Sequence, residues 1–177
     1  TTNDALSAVV FNTPGTYVIS LQVETPCCGL SPIATTINLI VDPIPTPSIV
    51  SSSPTVCYGD AITLTASGGT SFLWNDGTTT ATNVVTPVLN TTYTVQVTNF
   101  ECTGSANFTI APTIASVFIS GLDQICSGDN TTLTANGEVG STYQWSGGSS
   151  ATTPSITVGP TNDLMYYVTA TVAGCSV

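Results

Sequence analysis

The chain has 177 residues, ten carboxylates and no lysine, arginine or histidine, giving a net charge of −10. With no cationic side chain it cannot neutralise phosphates or be drawn to an anionic membrane surface, so nucleic-acid binding is excluded. Imidazole-dependent triads, Schiff-base lysines and arginine clamps are equally impossible. Yet only 6% of residues are charged and 41% are hydrophobic, which fits a chain that buries a core rather than a disordered acidic tail. No apolar run approaches the ~20 residues of a membrane span, so direct membrane insertion is not expected. No basic and apolar leader opens the chain, so Thr1 reads as a mature or excised boundary.

In chain order, Ala8–Phe11, then alternating Tyr17, Ile19, Leu21 and Val23, then Ile37, Leu39 and Val41 predict three strands. Three strands cover too little apolar area for an independent sandwich, so residues 1–42 read as the C-terminal part of a domain. Asp42-Pro-Ile-Pro-Thr-Pro47 follows as a stiff, extended linker. Ile62, Leu64 and Ala66, then Tyr93, Val95 and Val97, then Ala106, Phe108 and Ile110 alternate with polar residues. Period two marks strands with one buried and one wet face. Ser67-Gly-Gly69, Asp76-Gly77 and Ser146-Gly-Gly148 interrupt the runs at turn spacing. No segment combines 3.6-residue periodicity with helix caps.

The chain then repeats itself. Cys57-Tyr-Gly-Asp60, Ile62-Thr-Leu-Thr-Ala66, Trp74, Tyr93, Val95 and Cys102 return as Cys126-Ser-Gly-Asp129, Thr132-Leu-Thr-Ala135, Trp145, Tyr166, Val168 and Cys175. The offset grows from 69 to 71 to 73 residues, which requires two short loop insertions. The expected fold is therefore all-β: tandem Ig-like β-sandwich domains arranged end to end, each of about seven short strands. Residues 43–111 form one such domain, and residues 112–177 form a second that lacks its last strand. Ala111-Pro-Thr113 is the shorter linker between them.

Two resemblances follow from these residues. Phe11-Asn-Thr-Pro-Gly-Thr-Tyr-Val18 is similar to the late-strand signature of PKD domains. The order Cys-x-Gly-Asp, Leu-Thr-Ala, a mid-domain Trp, Thr91-Thr-Tyr-Thr-Val95 and a closing Cys resembles bacterial Ig-like repeats. Such repeats build very large secreted surface proteins of Bacteroidota, often exported by the type IX system. The resemblance implies an adhesin, stalk or filament made of many modules.

Cys57 with Cys102 and Cys126 with Cys175 are expected to form one disulfide per domain, tying one end of each sandwich, against the rival reading of buried free thiols. Cys27 and Cys28 stay unassigned: one of them is expected to bond an upstream cysteine, and the other could be free, could pair between chains, or could join its neighbour in a strained vicinal bond. Trp74, Trp145, Tyr93 and Tyr166 are assigned to the cores rather than to a sugar-stacking face. Asp60 and Asp129 are weak calcium candidates, outweighed by a tight turn with an Asx-type hydrogen bond. Asp42 or Asp123 could add to a site at a junction. No metal is otherwise expected, since histidines and close cysteine pairs of zinc-site spacing are missing. Asn90, Asn107 and Asn130 each begin an N-x-Thr sequon.

The expected role is a structural and adhesive segment of an extracellular bacterial repeat protein, with no cofactor and no enzymatic activity. Its partners are neighbouring domains, copies of itself, or surface glycans and proteins. The alternatives are a subunit of a polymeric filament, completed by neighbouring copies, and a carbohydrate-binding accessory module of a secreted hydrolase. Cysteines used as disulfides place the chain outside the cytoplasm.

Overall fold

A computed structural model of the chain describes residues 9–21, 24, 25, 27–30 and 35–177. Every regular element in them is a strand, so no helix among the described residues is long and apolar enough to cross a membrane. The N-terminal region contains β1 (Gly15–Leu21), β2 (Glu24–Thr25), β3 (Gly29–Leu30) and β4 (Thr35–Val41). β1 and β4 pair antiparallel over their full length, while β2 and β3 form a small hairpin between them. Val9–Phe11, expected in a strand, are outside any; Ala8 and Val23 lie outside the described residues. Phe11 instead packs against Tyr17, the two rings tilted by 48° with centroids 4.5 Å apart. The Tyr17 hydroxyl donates back to the Thr13 carbonyl at 2.8 Å, in the manner of a tyrosine corner.

Six strands follow: β5 (Ser48–Ser51), β6 (Ile62–Ser67), β7 (Ser71–Trp74), β8 (Thr82–Val85), β9 (Thr91–Asn99) and β10 (Cys102–Ile110). They form two antiparallel three-stranded sheets, β5-β6-β8 and β10-β9-β7. The second repeat reproduces this with β11 (Val117–Ser120), β12 (Thr131–Gly137), β13 (Thr142–Ser146), β14 (Ser155–Val158), β15 (Tyr167–Val172) and β16 (Cys175–Ser176), in sheets β11-β12-β14 and β13-β15-β16. This is the strand order of an Ig-like sandwich without the strand that usually follows the third. Seven strands were expected and six form. Only seven residues separate Trp74 from Thr82, and a turn occupies them, closed by the Thr78 amide donating to Asp76 Oδ1 at 3.0 Å.

Registers make the repeat exact at the level of pairs. Trp74 faces Val95 as Trp145 faces Val168, and Leu64 faces Asn83 as Leu133 faces Ile156. Both indoles are buried, and each donates its N–H to a threonine carbonyl 2.9 Å away, Thr80 and Thr153 respectively. A buried indole N–H without that acceptor would cost about 1–3 kcal/mol. One polar pair is lost in the second copy. Buried Asn83 donates to Asp76 Oδ2 at 2.7 Å, whereas Gly147 and buried Ile156 stand at the corresponding places.

The two cores differ in completeness. In the first, Leu64, Val95 and Val97 are fully buried, and Ile110 and Phe108 of β10 belong to the same cluster as Val85 and Tyr93. In the second, only Ala135, Trp145, Ile156 and Val158 make up the buried cluster. Tyr166, Leu133 and Val168 remain half-buried. β16 is two residues long against nine for β10, so among the described residues none stands beside them at the places of Phe108 and Ile110.

The proline linker is seated on the first sandwich. Pro45 is buried, and a Cβ on Gly104 would lie 2.3 Å from its carbonyl oxygen and 3.0 Å from Pro47 Cδ. A Cβ on Gly68 would lie 2.7 Å from the Thr46 oxygen. Gly104→Ala is therefore expected to unseat the linker at a cost of about 1–3 kcal/mol, read as a lowered melting temperature of the first sandwich. An unchanged melting temperature would show that the linker is not held there.

Candidate functional site at the junction of the two sandwiches

Each Cys-x-Gly-Asp sequence folds as a tight turn. The Asp60 amide donates to the Cys57 carbonyl and the Asp129 amide to the Cys126 carbonyl, both at 3.0 Å. Gly59 and Gly128 sit at φ +79° and +93°, the left-handed region a type II turn requires at its third residue. The closing bond is made by the backbone, not by the carboxylate as an Asx turn would have it. Among the described residues, no group of three or more carboxylate or cysteine side chains is placed to hold a metal ion, and Asp60 and Asp129 stand apart from one another in separate turns.

The first of these turns is built into the junction. Cys57 bridges Thr113 of the second linker in parallel fashion. The Thr113 amide donates to the Val56 carbonyl at 2.8 Å, and the Tyr58 amide donates to the Thr113 carbonyl at 2.9 Å. Buried Val56 thus ties the linker to the first core. Above this clasp, the β15–β16 hairpin of the second sandwich brings Ala173 and Gly174 against Val56, Cys57 and Asp60 around a cleft of 180 Å³. Cys57 is disulfide-bonded to Cys175, with Cα atoms 5.5 Å apart.

That bond corrects the expected pairing. Cys57 does not join Cys102, and Cys126 does not join Cys175; Cys102 and Cys126 are free thiols. The reason is the length of a sandwich. Cys102 begins β10, while Cys57 bridges Thr113, three residues beyond the end of β10 at Ile110. The eight steps from one end of the strand to the other span roughly 26 Å at ~3.3 Å per residue, far beyond the ~7 Å limit for bridged Cα atoms. The Cys102 thiol lies at the opposite end, 3.7 Å from the Asp42 carbonyl of the first linker. Sandwiches stacked in series bring the far-end cysteine of one against the near-end cysteine of the next.

Cys27 and Cys28 occupy the turn between β2 and β3, both exposed, with sulfurs 3.1 Å apart and not bonded to each other. Trp74, Trp145 and Tyr93 lie in the cores and Tyr166 at the edge of one, so neither tryptophan offers a ring face to a sugar.

Charge acts here with one sign. Donation from the Asn83 side chain and then from the Thr78 amide holds the Asp76 carboxyl below its usual pKa, while burial and the Asp76 charge raise Tyr93. A carboxyl held low in the fold stabilises above its unfolded pKa, and that stabilisation is lost as pH falls through the lowered value. With no cationic side chain, the carboxylates can only repel one another. Added salt should therefore raise the melting temperature at neutral pH. A fall between low and moderate ionic strength would contradict this.

The sequence matches no family model and no curated protein. Among solved structures it is similar to three N-terminal domains of the highly immunogenic outer capsid protein (Hoc) of bacteriophage RB49. That likeness has 21% identity and a TM-score of 0.40, over 71% of this chain and about half, 53%, of the other.

Proposed function

We propose that this chain is a structural and adhesive segment of an extracellular repeat protein, acting as a stiff spacer of the kind built from PKD and bacterial Ig-like modules on Bacteroidota surfaces. The observation that carries the reading is the bond between Cys57 and Cys175, which fixes adjacent sandwiches to one another rather than bracing either one internally. A flexible tether needs no such bond. A stiff one does, because loops between domains otherwise permit relative motion. A structural disulfide also requires an oxidising compartment, which favours a place outside the cytoplasm. The uniform negative charge opposes association of neighbouring fibres and leaves no cleavage site for trypsin-like proteases. No catalytic role is assigned. Its partners are neighbouring modules or copies of itself, with surface glycans or proteins as adhesion targets.

Small-angle X-ray scattering tests the spacer. The oxidised chain should give one narrow distribution of distances between the sandwiches, and Cys57→Ser with Cys175→Ser should broaden it. A broad distribution with the bond intact would end the reading.

A second reading, the filament subunit, draws on two uncovered apolar surfaces. One face of the β1–β4 pair exposes Ile19 and Ile37. In the second sandwich a cleft of 270 Å³ is lined by Leu122, Leu133, Val158 and Tyr166. An added strand from another copy would cover either one. Concentration-dependent self-association, blocked by a charge at Ile37, separates this reading from the spacer.

A further inference from the structure

We infer that Cys102 and Cys126 are the open halves of the same staple, and that arrays of this repeat are joined by a continuous ladder of bonds between neighbours. The first cysteine of each repeat bonds the second cysteine of the repeat that follows it. Cys126 is then the donor to a following repeat, and Cys102 receives from a preceding one. The inference goes beyond the spacer reading, since it states a covalent rule for any number of repeats.

Three observations carry it. Cys126 occupies in the second repeat the place that Cys57 occupies in the first: the first residue of the same backbone-closed turn, its carbonyl accepting from the Asp amide three residues on at the same 3.0 Å. Cys102 occupies the place of Cys175, since Cys102 faces Asn99 across a two-residue hairpin as Cys175 faces Val172. Their repeat mates are bonded to one another. The local conformation that presents each sulfur is therefore present at all four positions, including the left-handed residue that starts both hairpins, Phe100 at φ 51° and Ala173 at φ 48°.

The surroundings agree. Cys102 lies against the linker that enters its own sandwich, near the Asp42 carbonyl, so its thiol already faces the junction where a preceding turn would dock. Cys126 is exposed, and its neighbours Gln124, Ile125 and Ser127 line an open groove with Pro160 and Asp163–Met165. In the first repeat the corresponding segment, Val56–Tyr58, is the one that clasps Thr113 of the next linker.

The rule has a physical consequence. Cys57–Cys175 closes a loop that contains Cys126, so a bond from Cys126 to a later repeat opens inside one loop and closes outside it. Successive loops overlap, and unfolding any single repeat releases no length along the fibre. Each bond forms when two thiols lose two protons and two electrons to a disulfide oxidant. With oxidised glutathione, thiolate attack gives a mixed disulfide, the second thiolate displaces glutathione, and two reduced glutathiones leave per bond.

The test adds to the full chain, after Val177, a copy of residues 105–111 and then a copy of residues 112–177 carrying Cys126→Ser. The copied strand completes the second sandwich, and the copied repeat supplies one new second-position cysteine. The protein is folded with reduced and oxidised glutathione, alkylated, cleaved with chymotrypsin and mapped by mass spectrometry. The expected result is a cross-linked peptide joining Cys126 to the appended Cys175, lighter by two hydrogens than the two thiols, alongside the original Cys57–Cys175 peptide. Alkylation of the appended Cys175 while Cys57–Cys175 is intact would overturn the ladder and leave the spacer reading untouched. A bond from the appended Cys175 to Cys102 would overturn it equally. Loss of Cys57–Cys175 from the same digest would overturn both.

Discussion

Pulling the oxidised chain by its two ends should release no length from residues 58–174, and the reduced chain should release about 400 Å more. Force entering at the N-terminus reaches Cys57, crosses the sulfur bridge and leaves at Cys175, so everything between is out of the load path. The 118-residue separation corresponds to about 400 Å when extended at ~3.4 Å per residue, while the two Cα atoms are 5.5 Å apart in the fold. Both sandwiches lie mostly within that loop. Single-molecule stretching with and without reductant reads this difference directly, and a length step from either sandwich in the oxidised chain would show the bond is not formed. The same closure acts on thermal stability. A loop of this size lowers the entropy of the unfolded chain by an amount worth about 5 kcal/mol, with any native strain subtracting from it. Because the loop spans both sandwiches, its closure stabilises each against the unfolding of the other. Reduction should therefore split one melting transition into two, the second sandwich melting first.

Much of this architecture was legible because period-two alternation and the internal repeat report directly on which side chains face a core. Leu64, Val95 and Trp74 are buried where the alternation places them, and Leu133, Val168 and Trp145 hold the matching register. The cysteine pairing was not legible from spacing, because two cysteines bounding a repeat in sequence need not meet in space. Strand direction held the missing signal. The first cysteine follows the first strand of the sandwich and the second precedes its last strand. In seven alternating strands those two connections open at opposite ends. With six strands the result is the same: Cys57 bridges Thr113 beyond the end of β10, whereas Cys102 opens that strand. The half-burial of Tyr166 escaped the sequence for a related reason. It stands two residues before Val168 as Tyr93 stands two before Val95, but Tyr93 lies within β9 opposite Phe108, whereas Tyr166 precedes β15 and the two-residue β16 does not reach it.

Replacing Trp145 by alanine should unfold the second sandwich while the first stays folded, whereas Trp74→Ala should weaken the first without unfolding it. Both indoles are almost wholly buried and both donate to a threonine carbonyl, so the local loss is similar, about 3–5 kcal/mol each. What differs is what remains. The first core keeps Leu64, Val95, Val97, Tyr93 and Ile110 packed across two sheets. The second keeps Ala135, Ile156 and Val158 as the buried members of its cluster, with Leu133, Tyr166 and Val168 only half-buried around them. A domain near this size has roughly 3–10 kcal/mol of stability at ~0.05–0.15 kcal/mol per residue. The loss from Trp145→Ala therefore rivals the whole stability of the smaller core. Amide hydrogen exchange on the oxidised protein resolves the two sandwiches. Trp145→Ala should abolish protection in β12 and β15 and leave β6 and β9 protected. Trp74→Ala should lower protection in β6 and β9 by about two to four orders of magnitude, at ~1.4 kcal/mol per tenfold, without abolishing it. Persisting protection of β12 and β15 in Trp145→Ala would mean the second sandwich draws its stability from the Cys57–Cys175 staple and the Thr113 clasp rather than from its own interior.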